Sequence, residues 1–154
     1  MRIAFILFLQ LSLTSMFGQK AEYVKSYYED NQIKSEGWIK GTEKSNYWKY
    51  YYDNGNIKKE GRYKNGKPTK YWYFYNEDKS KLEEGHFIKG FKFKWWILYE
   101  KNKIAHKIQY DFNKKNGYCL CYAKGKIFKV VRYKNDLKEG EWTDLKKFKK
   151  ENKF

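Results

Sequence analysis

A tryptophan returns at fixed intervals along this chain. Trp48, Trp72, Trp96 and Trp142 sit on a grid of 24, 24 and 46 residues, the last interval being two steps of 23, and Cys119 fills the vacant place. Such a period, sustained over most of a chain, marks a repeat architecture in which each unit is one supersecondary element that cannot bury its own apolar face. Repeat arrays work through extended surfaces, so the pattern points away from a buried catalytic pocket.

The clearest unit runs from Tyr52 to Tyr75. The place of Ile57 is taken elsewhere by Ile33, Leu82, Ile104 and Ile127, and that of Tyr63 by Ile39, Phe87, Tyr110 and Tyr133. The closing Tyr75 aligns with Tyr51, Tyr99, Tyr122 and Leu145. The turn at Asn65-Gly66 recurs as Gly41-Thr42, Lys89-Gly90, Phe112-Asn113 and Asn135-Asp136, and the turn between units recurs at Asn31, Gly55, Asp78, Asn102 and Gly125. Five units therefore run over residues 28–145. The register slips by one or two residues near Tyr51-Tyr52 and at Glu77–Lys81, both in turns, where insertions are tolerated.

Each unit reads as two strands. Ile57, Lys59, Gly61 and Tyr63 alternate with Lys58, Glu60 and Arg62, the period of 2 of a strand with one buried face. The second segment, Tyr71 to Tyr75, is wholly aromatic, which suits a pleated surface. Gly, Asn and Asp at the turns tolerate the positive φ that tight hairpins need. The expected fold is all-β: five tandem β-hairpin repeats forming one elongated antiparallel sheet. About ten strands at about 4.8 Å spacing would span on the order of 45–50 Å.

Gly61-x-Tyr63-x-x-Gly66-Lys67…Trp72-x-x-Tyr75, preceded by Tyr52-x-Asn54-Gly55-x-Ile57, resembles the bacterial variant of the MORN (membrane occupation and recognition nexus) repeat. Its structural positions here are Trp48, Trp72, Trp96, Trp142, Tyr63, Tyr75, Tyr99, Tyr110, Tyr122, Tyr133, Gly61, Gly66 and Gly85. The family's second glycine, two residues before the Trp, is present as Gly117 and Gly140 but replaced by Asn46, Lys70 and Lys94 elsewhere. The resemblance implies stacked hairpins and a binding or scaffolding role. Membrane lipid and protein partners have both been proposed for such repeats, and many bacterial relatives carry the label of antitoxin in toxin–antitoxin pairs. It supplies no catalytic residues.

Residues 1–19 read as a secretory signal peptide: Met1-Arg2, an apolar run from Ile3 to Leu9, a mixed stretch to Phe17, then Gly18-Gln19-Lys20. Gln10, Ser12, Thr14 and Ser15 interrupt the run too often for a membrane span of about 20 residues. Cleavage is expected between Gly18 and Ala21, leaving no transmembrane segment and no cysteine for a lipid anchor. Export to the periplasm, the outer surface or the medium follows. Residues 20–27 either pair as an edge strand or stay loose. The basic tail, residues 146–154, either protects the last edge, as lysine does, or frays.

The aromatic fraction is 21% and Leu and Val are scarce, so rings must supply the buried area, each burying on the order of 150–250 Å². That makes structure the simplest account of the aromatic rows, with stacking platforms for sugars or bases as the alternative. Charge is uneven. The net value is +16, yet thirteen basic residues from His86 to Asn135 face only Glu100 and Asp111. From Ala21 to Gly85 thirteen basic residues face eleven acidic ones. A compositional bias toward Lys explains the number of lysines but not the loss of acids. The candidate contacts for an anionic partner are Lys89, Lys92, Lys94, Lys101, Lys103, Lys107, Lys114, Lys115, Lys124, Lys126, Lys129, Arg132 and Lys134. Envelope lipid or polysaccharide suits an exported chain; nucleic acid suits the charge but not the compartment. Lys lacks the planar fork of Arg, so binding of low specificity and high salt sensitivity is expected.

Other chemistry is sparse. Cys119 and Cys121 form C-x-C on a predicted strand with both thiols on one face. Their Cα atoms, about 6.5 Å apart, lie at the far edge of disulfide geometry. Without a third and fourth ligand they make a poor zinc site. His86, His106 and the adjacent Glu83-Glu84 form no acid–base set, and no phosphate loop, nucleophile triad or metal motif occurs. The expectation is a non-enzymatic chain without cofactor. Its function classes are an anionic-surface scaffold, a protein-interaction module of antitoxin or immunity type, and redox or metal chemistry at the two thiols.

Overall fold

The computed structural model describes residues 20–152. The signal-peptide expectation falls on residues outside this range. The elements are β1 (Glu22–Tyr27), β2 (Ile33–Lys40), β3 (Glu43–Tyr51), β4 (Ile57–Lys64), β5 (Lys67–Tyr75), β6 (Lys81–Ile88), β7 (Phe91–Glu100), β8 (Lys103–Asp111), β9 (Lys114–Ala123), β10 (Lys126–Lys134), β11 (Leu137–Trp142) and α1 (Leu145–Asn152). All 11 strands pair antiparallel in chain order into one open sheet. Pairs β2–β3 through β10–β11 are the five expected hairpins. The eleventh strand is the N-terminal segment, which settles as an edge strand, with Val24 opposite Gly37.

Turn chemistry sets the hairpins. Asn65-Gly66, Lys89-Gly90, Phe112-Asn113 and Asn135-Asp136 each place both central residues at positive φ, the pattern of a type I′ turn. Each turn then docks on the hairpin before it. The amides of Gly66, Gly90, Asn113 and Asp136 donate to the carbonyls of Lys44, Pro68, Lys92 and Lys115 at 2.9–3.1 Å. This rim, made by the turns within units, is stitched by main-chain bonds. On the opposite rim Tyr28 and Tyr52 donate their hydroxyls to the carbonyls of Tyr51 and Tyr75, one repeat further on.

Most of the core lies on one face, with Val130 and Phe148 buried on the other. Trp48 and Trp96 are buried directly across from Gly37 and Gly85, and buried Trp72 lies over Gly61 at the bulge between β4 and β5. The indoles lie flat on the facing glycines, so closely that a Cβ there would come within 2.4, 2.3 and 2.4 Å of ring atoms. Beside each pair β3, β5 and β7 bulge, with Asn46, Lys70 and Lys94 in the left-handed region at φ 55°, 62° and 62°. The bulge takes the carbonyls of Trp38, Arg62 and His86 off the ladder, and the indole Nε1 donates to them at 2.8, 3.1 and 3.1 Å. Between successive indoles stands a ring from the Tyr63 position. Trp48, Tyr63, Trp72, Phe87, Trp96 and Tyr110 form a continuous column of edge-to-face contacts, with centroids 5.0–6.4 Å apart. Such pairs contribute about 0.5–1.5 kcal/mol each beyond area burial.

The fifth unit departs from the expected alignment. Its bulge is one residue shorter, since Arg132 pairs with Gly140 and Tyr133 with Lys138. Gly140 does not adopt positive φ, unlike Gly117 at 110°. The missing residue turns Trp142 to the opposite face, across from Val130, and leaves Glu141 across from Val131. Leu145 does not close a strand; it opens α1, which holds the tail as far as Asn152. Asp144 caps α1, its carboxylate accepting from the amides of Lys146 and Lys147. Phe148 is buried against Trp142 and Tyr118 at 5.3 and 5.5 Å. Trp142 is thus a docking plate for the terminal helix rather than a fifth core tryptophan.

Left-handed backbone at a lysine costs about 1–2 kcal/mol, partly recovered by Gly against its unfolded-state entropy. Lys70→Gly is therefore expected to stabilise the chain by about 0.5–1 kcal/mol in urea denaturation.

Candidate functional site

The second face carries a row that the sequence reading did not single out. Glu36, Glu60 and Glu84 each precede a core glycine, so the alternation of the strand turns them away from the tryptophans. Tyr51, Tyr75 and Tyr99 donate their hydroxyls to these carboxylates at 2.6, 3.1 and 2.8 Å. A second phenol lies near each carboxylate and feels its charge: Tyr23 by Glu36, Tyr47 by Glu60 and Tyr71 by Glu84. The hydrogen bond from Tyr51 is the main cause that holds the Glu36 carboxyl below its usual range. Burial, then the glutamates, push the hydroxyls of Tyr47 and Tyr99 up to about 12. Burial, then the charge of Glu84, does the same to Tyr71. The signal in the sequence is the Glu-Gly pair at Glu36, Glu60 and Glu84 with a tyrosine fifteen residues later. In the fourth unit Lys107 takes the glutamate place and sits over the Tyr122 ring, 5.8 Å from its centroid.

The thirteen basic candidates do not share one face. Lys92 lies over Trp96 at 3.9 Å and pairs with Glu83 at 2.7 Å, Lys115 lies over Tyr133 and Lys129 reaches Glu141, all on the tryptophan face. Lys107 and Arg132 belong to the other face, with Arg132 paired to Glu139. Lys94 occupies the bulge against Phe93. Lys89, Lys114 and Lys134 stand on the rim of turns within units; Lys101, Lys103, Lys124 and Lys126 stand on the rim between units. These seven lysines are exposed and make no ion pair among the described residues.

The rim of turns within units adds apolar groups to its lysines. Phe112, 56% exposed, holds φ 46° at a turn position that favours Asn or Gly. It packs against Phe91 and Phe93 at 5.6 and 6.3 Å. Ile88 and Phe91 are exposed beside it, and Leu137, 73% exposed, opens the next strand along the rim. Glu43, Lys67 and Lys114 hold the corresponding strand starts of the first, second and fourth units, so the apolar strand starts are those of the third and fifth.

On the tryptophan face the fourth unit replaces the Trp–Gly pair by Cys119 across from Ile108. Cys121 lies across from His106, and the two sulfurs and the imidazole lie within 4.8 Å of one another. The sequence reading found no third ligand for the thiols; His106 supplies one from the neighbouring strand. Burial, then Cys121, pushes the Cys119 thiol up to about 12.

No helix among the described residues is long and apolar enough to cross a membrane. No protein-family model and no curated protein matches the sequence.

The tyrosine clamps set an alkaline limit. The folded-state values of Tyr47, Tyr71 and Tyr99 lie above the ordinary value of 10.0. Their contribution is whole below pH 10 and disappears as pH rises toward 12. Lys44 and Lys59, lowered by burial, offset part of this loss. Tyr50, Tyr51, Tyr75 and the Cys119 thiol are raised as well, so thermal melts are expected to fall from about pH 9 upward and most steeply above about pH 10, and replacing Tyr47, Tyr71 and Tyr99 together by Phe should lessen that fall without removing it.

Proposed function

We propose that the chain is an exported, non-enzymatic repeat scaffold of MORN-like type that docks on an anionic lipid surface through the turn rim of its third to fifth units. The observation that carries this reading is the exposed Phe112, held in left-handed backbone among Phe91, Phe93 and Ile88 and flanked by Lys89, Lys94 and Lys114. Apolar groups beside unpaired cations match a bilayer interface, where rings enter the acyl boundary and ammonium groups meet phosphate. Lys89 and Asp136 hold the same left-handed backbone in neighbouring turns, but Phe112 uses it to present an apolar ring on the rim. Polysaccharide would use the same lysines but gains nothing from an exposed leucine at Leu137. Export brings such a chain to envelope lipid, and the Lys-rich rim predicts affinity without fine headgroup selection.

Co-sedimentation of a chain beginning at Lys20 with anionic and neutral vesicles tests this. Binding is expected to anionic vesicles alone and to weaken with salt. Phe112→Asn should relieve the turn strain and raise stability by about 1 kcal/mol while weakening vesicle binding several-fold. Lys89→Glu, Lys114→Glu and Lys134→Glu together should abolish binding without unfolding. Undiminished binding by Phe112→Asn contradicts insertion. Absence of binding at low salt contradicts the lipid reading and turns the search to a protein partner of antitoxin or immunity type.

A further inference from the structure

The fourth repeat is where the tryptophan column stops, and what replaces it has the composition of a ligand set. Cys119 and Cys121 are both buried and both face the tryptophan side. Their sulfurs are 4.0 Å apart, too far for a bond and close to the separation of two ligands sharing one ion. Ligand atoms bound to a common ion at about 2.0–2.3 Å lie about 3.5–4 Å from each other. The His106 ring joins them from β8, and the three ligand atoms already fall within 4.8 Å. A contraction of less than about 1 Å, within side-chain rotation, closes the set.

A second observation concerns His106 itself. Its Nδ1 is buried and has no hydrogen-bond partner. A buried imidazole nitrogen without a partner costs about 1–3 kcal/mol, and coordination would remove that cost. The arrangement also differs from its sister units in the right places. The His106 position is held by Ser35, Lys59, Glu83 and Lys129 elsewhere, and the Cys121 position by Tyr50, Phe74 and Leu98. Packing accounts for a small residue at Cys119 across from Ile108, but not for an imidazole at His106 beside a second thiol at Cys121.

We propose that His106, Cys119 and Cys121 form a binding site for a single soft monovalent metal ion, Cu(I), held in three-coordinate geometry by two sulfurs and one nitrogen. The donors choose the ion. Two thiolates and an imidazole suit Cu(I) or Zn(II) among biological metals. No further His, Cys, Asp or Glu joins the cluster among the described residues. A structural Zn(II) site wants four protein ligands, whereas Cu(I) is content with three. The bound pair of thiolates leaves one net negative charge, and the charges of Lys115 and Lys129 on the same face favour the Cys119 thiolate. The site sits on strands rather than loops, so its geometry is held by the sheet on both sides.

The test is anaerobic titration of the reduced full chain with Cu(I) in competition with a chromophoric Cu(I) chelator, followed by copper–thiolate absorption. One Cu(I) per chain is expected. Cys119→Ser and Cys121→Ser should each weaken retention at least 100-fold, and His106→Gln roughly 10–100-fold. Circular dichroism establishes that each variant is folded; if a cysteine variant is not, His106→Gln, at a half-buried position, carries the comparison. Bound Cu(I) should also raise the melting temperature of the natural chain, and that of His106→Gln by less at the same Cu(I) concentration. Uptake equal to that of a folded Cys119→Ser/Cys121→Ser variant overturns the site. Retention unaffected by His106→Gln overturns the imidazole as ligand. Zn(II) held under chelator challenge where Cu(I) is not overturns the three-coordinate assignment.

Discussion

An indole lying on a bare backbone is the contact on which this sheet depends. A single layer has no second sheet or helix layer to bury its residues against, so burial must come from neighbours on the same face. Trp72 and Trp96 reach 1% and 0% exposure because the facing glycine lets the ring drop onto the main chain and flanking rings close over it. The same placement brings Nε1 to the carbonyl freed by the bulge. Glycine, tryptophan and left-handed bulge residue are thus one device. Removing any of the three leaves a clash, a void or an unpaired carbonyl.

Variation along the array follows from that device. Where the fourth unit loses its tryptophan it also loses its glycine, and Ile108 faces Cys119. The bulk moves from one strand to the other and the sheet continues. In the fifth unit Val131 faces Glu141 and the bulge shortens, so Trp142 does not resume the column and α1 covers the other face through Phe148. The second face is held by different means. Its glutamates accept hydrogen bonds from phenols, and Lys25 and Lys81 add ion pairs to Glu36 and Glu84 at 3.4 and 3.0 Å. The two halves of the molecule differ for that reason: acids are tied into the first three units, and the later units present unpaired cations on their rims.

Much of the fold was legible in the sequence. The 24-residue spacing of Trp48, Trp72 and Trp96, the turn residues and the alternation at Ile57–Tyr63 together fix strand order, register and faces. Trp142 misled because one bulge residue fewer reverses a side chain's face, and spacing cannot register that change. The helix at Leu145–Asn152 was hidden behind its lysines, although Asp144 before it is an ordinary N-cap. The metal-ligating candidates were only half visible. C-x-C is local, but His106 meets Cys121 through cross-strand register. The basic residues were seen as a group, and only the strand pairing sorts Lys92, Lys107 and Lys129, held by aromatic or acidic neighbours, from the free rim lysines.

The central claim is that glycine and tryptophan act as one unit, and a double-mutant cycle at Gly85 and Trp96 measures it. Urea denaturation of Gly85→Ala, Trp96→Ala and the double variant gives the coupling. Trp96→Ala alone should cost about 3–5 kcal/mol. Gly85→Ala should cost about 1–3 kcal/mol through forced overpacking. The account predicts a double variant less destabilised than the sum by about 1–3 kcal/mol, because the added methyl meets a ring only when the ring is there. Additivity within about 0.5 kcal/mol would contradict it.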